Sequence, residues 1–433
     1  MLPRVVGTSK GIVMLNNAAT TPPFKRTLKI ANESLKSYGA LHRGAGPYAS
    51  MTFDRVNKAI NSIREFVKVP DKHGILFTQN TSSAVNLFIR LLRLKENDLI
   101  LTSSIEHTSN SLPYIYNSKA KVVCINTSDD GSLDLQDLEK KIRENKNKVK
   151  LVTITGASNL SGFVPDIKKI ANIVHKNKAL LFIDAAQLAP HRPINMEVQG
   201  IDALAFSAHK IYAPFGLGVL VLPDWMLEQI PVDPGGGSID MISDTDVIWT
   251  SIKDRHQTGT WNVVGIIALG ESCQTYLDTG WKKIMNYEKE LVSYTVRELK
   301  KVPGMTFYVD LDKYLEEERI GVFVFNLKGY HHALLSSILD REYNIESRAG
   351  TICNHKLVRR WFKISDTEQK KIERKISRGD RLASYGIVRI SLGIQNTKKD
   401  IDKLIYALKN IEKNGPKLKY EAVPKEEIYS VTK

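Results

Sequence analysis

The chain has 433 residues, of which 42% are hydrophobic and 25% charged, with three cysteines and a formal net charge of +15. That is enough apolar material for two or three domains, each with its own core. No apolar stretch approaches the roughly 18 residues of a membrane-spanning helix. Three widely separated cysteines (Cys124, Cys273 and Cys353) exclude a disulfide framework and a CxxC metal or redox site, and imply a reducing compartment. The positive charge is spread over lysines that alternate with glutamates, with no nucleic-acid-binding motif, so it reads as a lysine-rich surface and not as a nucleic-acid interface.

In chain order, β-rich runs fall at 74–78, 98–102, 121–126, 149–155, 179–184, 203–207 and 218–222. Amphipathic stretches lie between them, which predicts an α/β domain around a largely parallel sheet. After the first run, Ala84, Leu87, Phe88, Leu91 and Leu92 keep helical spacing, so Thr81 and Ser82 open a helix whose free N–H groups can cradle an anion. Beyond Gly235-Gly236-Gly237 and Gly259-Thr260 the pattern changes. A helical stretch over 263–299 leads to strands at 320–327 and 387–392. The expected division is a large domain over 16–275 and a smaller one over 276–433, with residues 1–15 packing on the smaller. The polar tail from Asn414 reads as an irregular surface extension.

Two residues stand out. Asp184 ends the apolar run Leu180-Leu181-Phe182-Ile183, and Lys210 follows 26 positions later at the end of Phe206-Ser207-Ala208-His209. Either alone is ordinary, a turn former or a solvated cation. With Gln187, Ser207, His209, Pro214, Gly216 and Gly218 in step, the pattern D-x-x-Q followed by S-x-H-K-x-x-x-P-x-G-x-G resembles the class V aminotransferase branch of pyridoxal phosphate (PLP) enzymes, which includes cysteine desulfurases and selenocysteine lyases. The resemblance runs from about Leu15 to Leu408 and implies fold type I, with a large PLP domain and a smaller C-terminal α/β domain.

The resemblance also implies roles. Lys210 carries the cofactor as a Schiff base and later moves the α-proton, while Asp184 keeps the pyridine nitrogen charged. Thr81, Ser82, Ser207 and His209 surround the phosphate, and His107, within Glu106-His107-Thr108-Ser109-Asn110, stacks on the ring. Asn159, in Ser158-Asn159-Leu160-Ser161-Gly162, and Gln187 approach the phenolic oxygen. Thr260, in Gln257-Thr258-Gly259-Thr260-Trp261-Asn262, reaches the phosphate of a neighbouring subunit and so implies a homodimer. Asn17, in the segment 15–21, lines the substrate pocket. Arg389, in an R-x-S pattern, clamps the substrate carboxylate together with Arg348. Cys353, in Ser347-Arg348-Ala349-Gly350-Thr351-Ile352-Cys353, resembles the cysteine of the desulfurase R-x-G-x-x-C loop, which takes sulfur as a persulfide; nearby Arg348 or His355 would favour its thiolate.

The favoured expectation is therefore a cytoplasmic PLP-dependent cysteine desulfurase. It would convert L-cysteine to L-alanine and supply sulfur to an acceptor protein for iron–sulfur cluster assembly, with no metal, membrane or nucleic-acid partner. The alternatives are another class V reaction (transamination, selenocysteine lysis or β-elimination) with Cys353 incidental, or a non-catalytic scaffold of the same fold. The chain departs from the family pattern at Asn16 for aspartate, Asn80 for glycine, Gln257 for glutamate, Gly46 for histidine in His42-Arg43-Gly44-Ala45-Gly46, and Thr351 and Ile352 where histidines often stand. Too little chain precedes Leu15 for a cleaved presequence. From 356 to 381 there are ten Lys or Arg against four Asp or Glu, which reads as a solvated helical face that could also dock an acidic sulfur acceptor.

Overall fold

The computed structural model describes residues 1–7, 11–42, 44–252 and 254–432. Arg43, inside the segment 42–46, lies outside the described residues. All seven expected strands form, within a residue or two at their ends: β1 (His73–Thr78), β2 (Leu99–Ser103), β3 (Lys121–Ile125), β4 (Val149–Thr155), β5 (Leu180–Asp184), β6 (Ala203–Ser207) and β7 (Gly218–Pro223). They make one sheet in the order β1-β7-β6-β5-β4-β2-β3. The β3-β2, β2-β4, β4-β5 and β5-β6 pairs are parallel, and β7 runs antiparallel to both β6 and β1. Strands buried on both faces need near-continuous apolar runs, and β2, β6 and β7 are buried at every residue.

A second sheet of four strands follows: β8 (Met305–Phe307), β9 (Val322–Leu327), β10 (Arg348–Gly350) and β11 (Ile387–Ser391), in the order β8-β9-β11-β10 with antiparallel pairing throughout. Its apolar face packs with the helices His332–Tyr343 and Lys398–Asn414 into a separate hydrophobic cluster that includes Phe323, Phe325, Leu339, Ile390, Leu404 and Leu408. The chain's beginning is divided between the two halves. Arg4 and Val6 exchange backbone hydrogen bonds with Lys25 and Pro23, whereas Val13 and Met14 pair in parallel with Ile345 and Glu346 beside the second sheet.

Three expectations need correction. The stretch 263–299 is two helices, Val263–Thr279 and Trp281–Leu299, broken at Gly280, whose φ of 83° suits glycine. The second-sheet strand begins at Val322 and not at 320, because the Ile320 N–H donates to the Gly162 carbonyl of a crossing loop. The tail is not irregular: Tyr420–Val423 and Ile428–Val431 pair as an antiparallel hairpin. Alternating Tyr, Ala and Val residues there carry a strand pattern that the preceding polar run hides. Along the basic segment, the helix Asp366–Ser377 buries no residue, as a solvated face requires.

Candidate active site

Parallel strands end on one side of a sheet, and their C-terminal ends open a crevice that only loops and helix N-termini line. A cavity of about 300 Å³ occupies that crevice here, against the second sheet. From β1 come Asn80, Thr81 and Ser82; from β2, His107 and Ser109; from β4, Thr155, Ala157 and Asn159; from β5, Asp184, Ala186 and Gln187; from β6, Ser207, His209 and Lys210. The second sheet closes it with Arg348, Ile352, Cys353 and Arg389.

Thr81 and Ser82 begin the helix Thr81–Leu92, and Asn80, standing where the family has glycine, caps it through its side-chain oxygen on the Ser83 N–H at 3.0 Å. Ser207 Oγ accepts from the Thr81 N–H at 2.8 Å and lies 2.6 Å from Thr81 Oγ1, which ties β6 to this helix end. Ser82 Oγ lies 2.6 Å from Ser109 Oγ, and Ser109 in turn lies 3.0 Å from His107 Nδ1. Ser109 belongs to the motif 106–110, whose pattern gives it no role of its own. Its position two residues past His107, at a strand end, was the only signal.

The Ser109 N–H donates to His107 Nδ1, so that nitrogen carries no proton. Burial, helped by the charges of Lys210, Arg389 and Arg348, pushes the imidazole down to about 3, and the ring is neutral. Asp184 is buried, and its Oδ1 accepts from the Ala186 N–H at 3.0 Å. Burial raises this carboxyl, opposed by that hydrogen bond and by Lys210. Lys210 is pushed down to about 8, first by burial; Arg389 and Arg348 add to the shift while Asp184 and Cys353 oppose it. One position from His107, Glu106 is buried and raised to about 8, chiefly by desolvation, with Ser103 and Asn110 donating to it at 2.5 and 2.6 Å.

On the opposite wall, Arg348 and Arg389 are direct cross-strand partners between β10 and β11. Like charges so placed repel each other. Arg389 is only 1% exposed, and burial next to Arg348 pushes it down to about 9. Its Nη1 and Nη2 donate to the Asn159 carbonyl and to Asn16 Oδ1. An aspartate in place of Asn16 would neutralise the guanidinium, whereas the amide leaves its charge uncompensated. Two cations set face to face in a cavity wall call for an anion between or before them.

Cys353 is half-buried, at the end of a loop in which Ile352 and Cys353 both take left-handed backbone, φ 48° and 58°. A β-branched residue there is strained, by roughly 1–3 kcal/mol per site, and such strain needs support from its surroundings. Crossing hydrogen bonds provide it: Thr108 N–H to the Cys353 carbonyl, Asn159 Nδ2 to the Ile352 carbonyl, and Asn354 Nδ2 to the Ile105 carbonyl. Cys273 is buried in the helix Val263–Thr279, and Cys124 is only partly buried on the edge strand β3.

Two expected residues lie elsewhere. Thr260 is exposed and lines a separate hollow with His42, Gly236, Gln257 and Trp261. Asn17 is buried and lines, not the main cavity, but a second hollow that Lys210 also borders, and its amide is spent internally: Nδ2 donates to Met14, Ser391 and Asn396, and Oδ1 accepts from Gln395. It therefore positions its neighbours Ala18 and Ala19, which do line the cavity. Gln257 has a physical reason to replace glutamate: Oε1 accepts from the Phe77 N–H at 2.6 Å while Nε2 donates to the Phe77 carbonyl at 2.9 Å, a donation no carboxylate can make.

The Aminotransferase class-V family model matches residues 13–404. The chain belongs to this family. Among relatives, a probable cysteine desulfurase of Halalkalibacterium halodurans is 31% identical over 405 residues, covering 92% of each chain. One of Staphylococcus aureus is 29% identical over 408 residues, also covering 92% of each. Among solved structures, the apo cysteine desulfurase from Thermococcus onnurineus superposes with a TM-score of 0.80 at 27% identity, over 93% of this chain and 95% of that one. The cysteine desulfurase CsdA of Escherichia coli, solved as the S-sulfonic acid, gives 0.79 at 25% identity over 94% and 96%. The fold is that of these PLP enzymes.

Proposed function

We propose that this protein is a PLP-dependent cysteine desulfurase in which Cys353 takes the substrate's sulfur. The observation that carries the reading is the convergence, in one cavity, of Lys210 and Asp184 from the large sheet with Cys353 and the facing pair Arg348 and Arg389 from the small one. The cavity's polar groups suit the cofactor. Gln187 Oε1 and Arg389 Nε are buried without a hydrogen-bond partner among the described residues. A helix N-terminus with two hydroxyls lies at one end, beside Ser207 and His209. Thr81, Ser82, Ser207 and His209 would hold the phosphate, Asp184 the ring nitrogen, His107 the ring face, and Asn159 and Gln187 the phenolic oxygen.

When bound to Lys210, PLP supplies an electron sink for the pair released at the substrate's α-carbon. The chain's own groups do the rest. Arg389 and Arg348 take the substrate carboxylate and fix which bond at the α-carbon faces Lys210. With its affinity for protons lowered to about 8, Lys210 can accept the α-proton near neutral pH and return one. The thiolate of Cys353 attacks the substrate Sγ. An S–S bond forms as the Cβ–Sγ bond breaks, the electron pair stays with Cβ, and Cβ takes up a proton. L-cysteine and the Cys353 thiol thus become L-alanine and a persulfide.

We further propose a homodimer. Thr260 is exposed and lines a hollow separate from its own chain's cavity, and the exposed apolar residues Tyr48, Met51, Phe53, Met241, Ile242 and Ile248 suit a subunit contact. No described helix is long and apolar enough to cross a membrane. We place the enzyme in the cytoplasm, passing sulfur to an acceptor protein for iron–sulfur cluster assembly, with residues 16–275 and 276–433 as its two domains. Incubation of the purified protein with L-cysteine, followed by measurement of alanine, sulfide and protein persulfide together, tests the reaction. Equal alanine and persulfide, the latter mapping to Cys353, is expected; pyruvate with free sulfide and unmodified Cys353 would instead establish β-elimination.

A further inference from the structure

The C-terminal hairpin lies beyond the residues, 13–404, that the family model matches. It is fastened to the helix His332–Tyr343. The Tyr429 N–H donates to Ser337 Oγ at 3.2 Å, and Glu342 accepts from the N–H groups of Lys417 and Leu418 and from the Tyr420 hydroxyl. Its turn, Pro424–Glu426, packs on the turn Arg381–Ala383 that closes the basic segment. The next residue, Glu427, is in left-handed backbone with φ 57°, and its side chain crosses to the strand that leads to Cys353.

The crossing is close. A Cβ placed on Gly350 would stand 2.9 Å from Glu427 Oε1 and would push this carboxylate aside, and the Gly350 φ of 106° by itself favours glycine. Burial raises the Glu427 carboxyl, while Arg381 and Arg348 act in the opposite sense, as cations facing it from two other elements. Three residues past Gly350 comes Cys353, at the end of the strained pair. The hydrogen bonds described above hold this loop from the large-sheet side; Glu427 approaches it from the other.

We propose that Glu427 is a positioning residue for sulfur transfer, bracing the backbone at Gly350 from the tip of the C-terminal hairpin so that Cys353 is presented in a single conformation. The proposal rests on Cys353 being the sulfur acceptor, but its physical core, a braced loop, does not depend on turnover. It assigns a function to a chain segment outside the family match. It also explains how a loop that lacks the histidines often found before its cysteine remains ordered.

The experiment compares wild type, E427Q, E427A and E427D as PLP-loaded proteins. Hydrogen–deuterium exchange over 348–354 and the rate of Cys353 alkylation by iodoacetamide report on the brace, and alanine formation from L-cysteine reports on the reaction. In E427Q and E427A, exchange over 348–354 should rise about fivefold or more, and kcat for alanine should fall about tenfold. PLP fixed on Lys210 by borohydride should be unchanged, and E427D should recover wild-type protection within about twofold. Wild-type exchange and alkylation in E427Q, or E427D failing to restore protection lost in E427Q, overturns the proposal whatever the alanine rate. If wild type makes no alanine from L-cysteine, the desulfurase reading fails, while exchange and alkylation still decide whether the brace exists.

Discussion

The two walls of the cavity are built on different principles. The large-sheet wall takes its residues from successive strand ends, where regular β-to-helix turns fix direction and a helix N-terminus offers N–H groups without distortion. The small-sheet wall is made of two opposed arginines and a strained loop. A wall made of regular ends suits a constant tenant, the cofactor. A wall that stores repulsion and strain suits a passing tenant, the substrate and its leaving group. The comparison predicts that damage to the first wall abolishes every reaction, whereas damage to the second removes one.

The largest effect should come from Lys210→Ala. Borohydride should then leave no cofactor covalently attached, and alanine formation should fall by about 10³-fold or more, since positioned acid–base groups alone contribute about 10²–10⁴. Covalent cofactor retained in that variant would break the assignment of the first wall. Asp184→Asn should keep the cofactor bound yet slow turnover by several powers of ten, at about 1.36 kcal/mol of lost stabilisation per tenfold. Near-normal rates would remove Asp184 from the mechanism.

Cys353→Ala sharpens the contrast. It should bind PLP and L-cysteine normally and lose alanine formation by about a hundredfold or more, with Cys124 and Cys273 dispensable. Wild-type alanine production by this variant would mean that sulfur leaves without a thiolate from Cys353, as in a selenocysteine-lyase type of reaction. Arg389→Lys keeps the charge but loses the fork, and should raise KM for L-cysteine about 10–100-fold, equivalent to about 1.4–2.8 kcal/mol. The mildest test is of pH. An amine adds to the cofactor's aldehyde only when neutral, and Lys210 sits at about 8, below its usual range. Capture of PLP by the apoprotein should therefore rise about tenfold per pH unit well below 8 and level off above it. A rise that continues undiminished to pH 10 would mean that burial does not lower Lys210.

The first wall was legible in the sequence for the same reason that it is regular. Asp184, Lys210, Ser207, Thr81 and His107 each stand just after an apolar run, so strand-end logic places them together, and the seven strands of that sheet were found in order. The second wall was only partly legible. Arg348, Cys353 and Arg389 were named from their patterns, but the facing of the two arginines is a matter of antiparallel register across 40 residues of intervening chain, to which local spacing is blind. Nothing in the spacing of the segment 15–21 shows that the Asn17 amide is consumed by Met14, Ser391, Asn396 and Gln395; only packing does. The helix break at Gly280 was hidden because the apolar pattern is strong on both sides of it. The hairpin after Asn414 went unseen because its strands are four residues each and their partner is a helix distant in sequence.

The facing arginines have one more consequence. Before substrate arrives, the buried guanidinium of Arg389 faces Arg348 and bonds only to the neutral oxygens of Asn159 and Asn16, and this excess of positive charge is a form of selection. A zwitterionic amino acid relieves it; an amine without a carboxylate adds a third cation. Cysteamine, which has the thiol and the amine of cysteine but no acid group, should be turned away at the entrance and not at the chemical step, and simple carboxylates should raise the protein's melting temperature by filling the place it reserves.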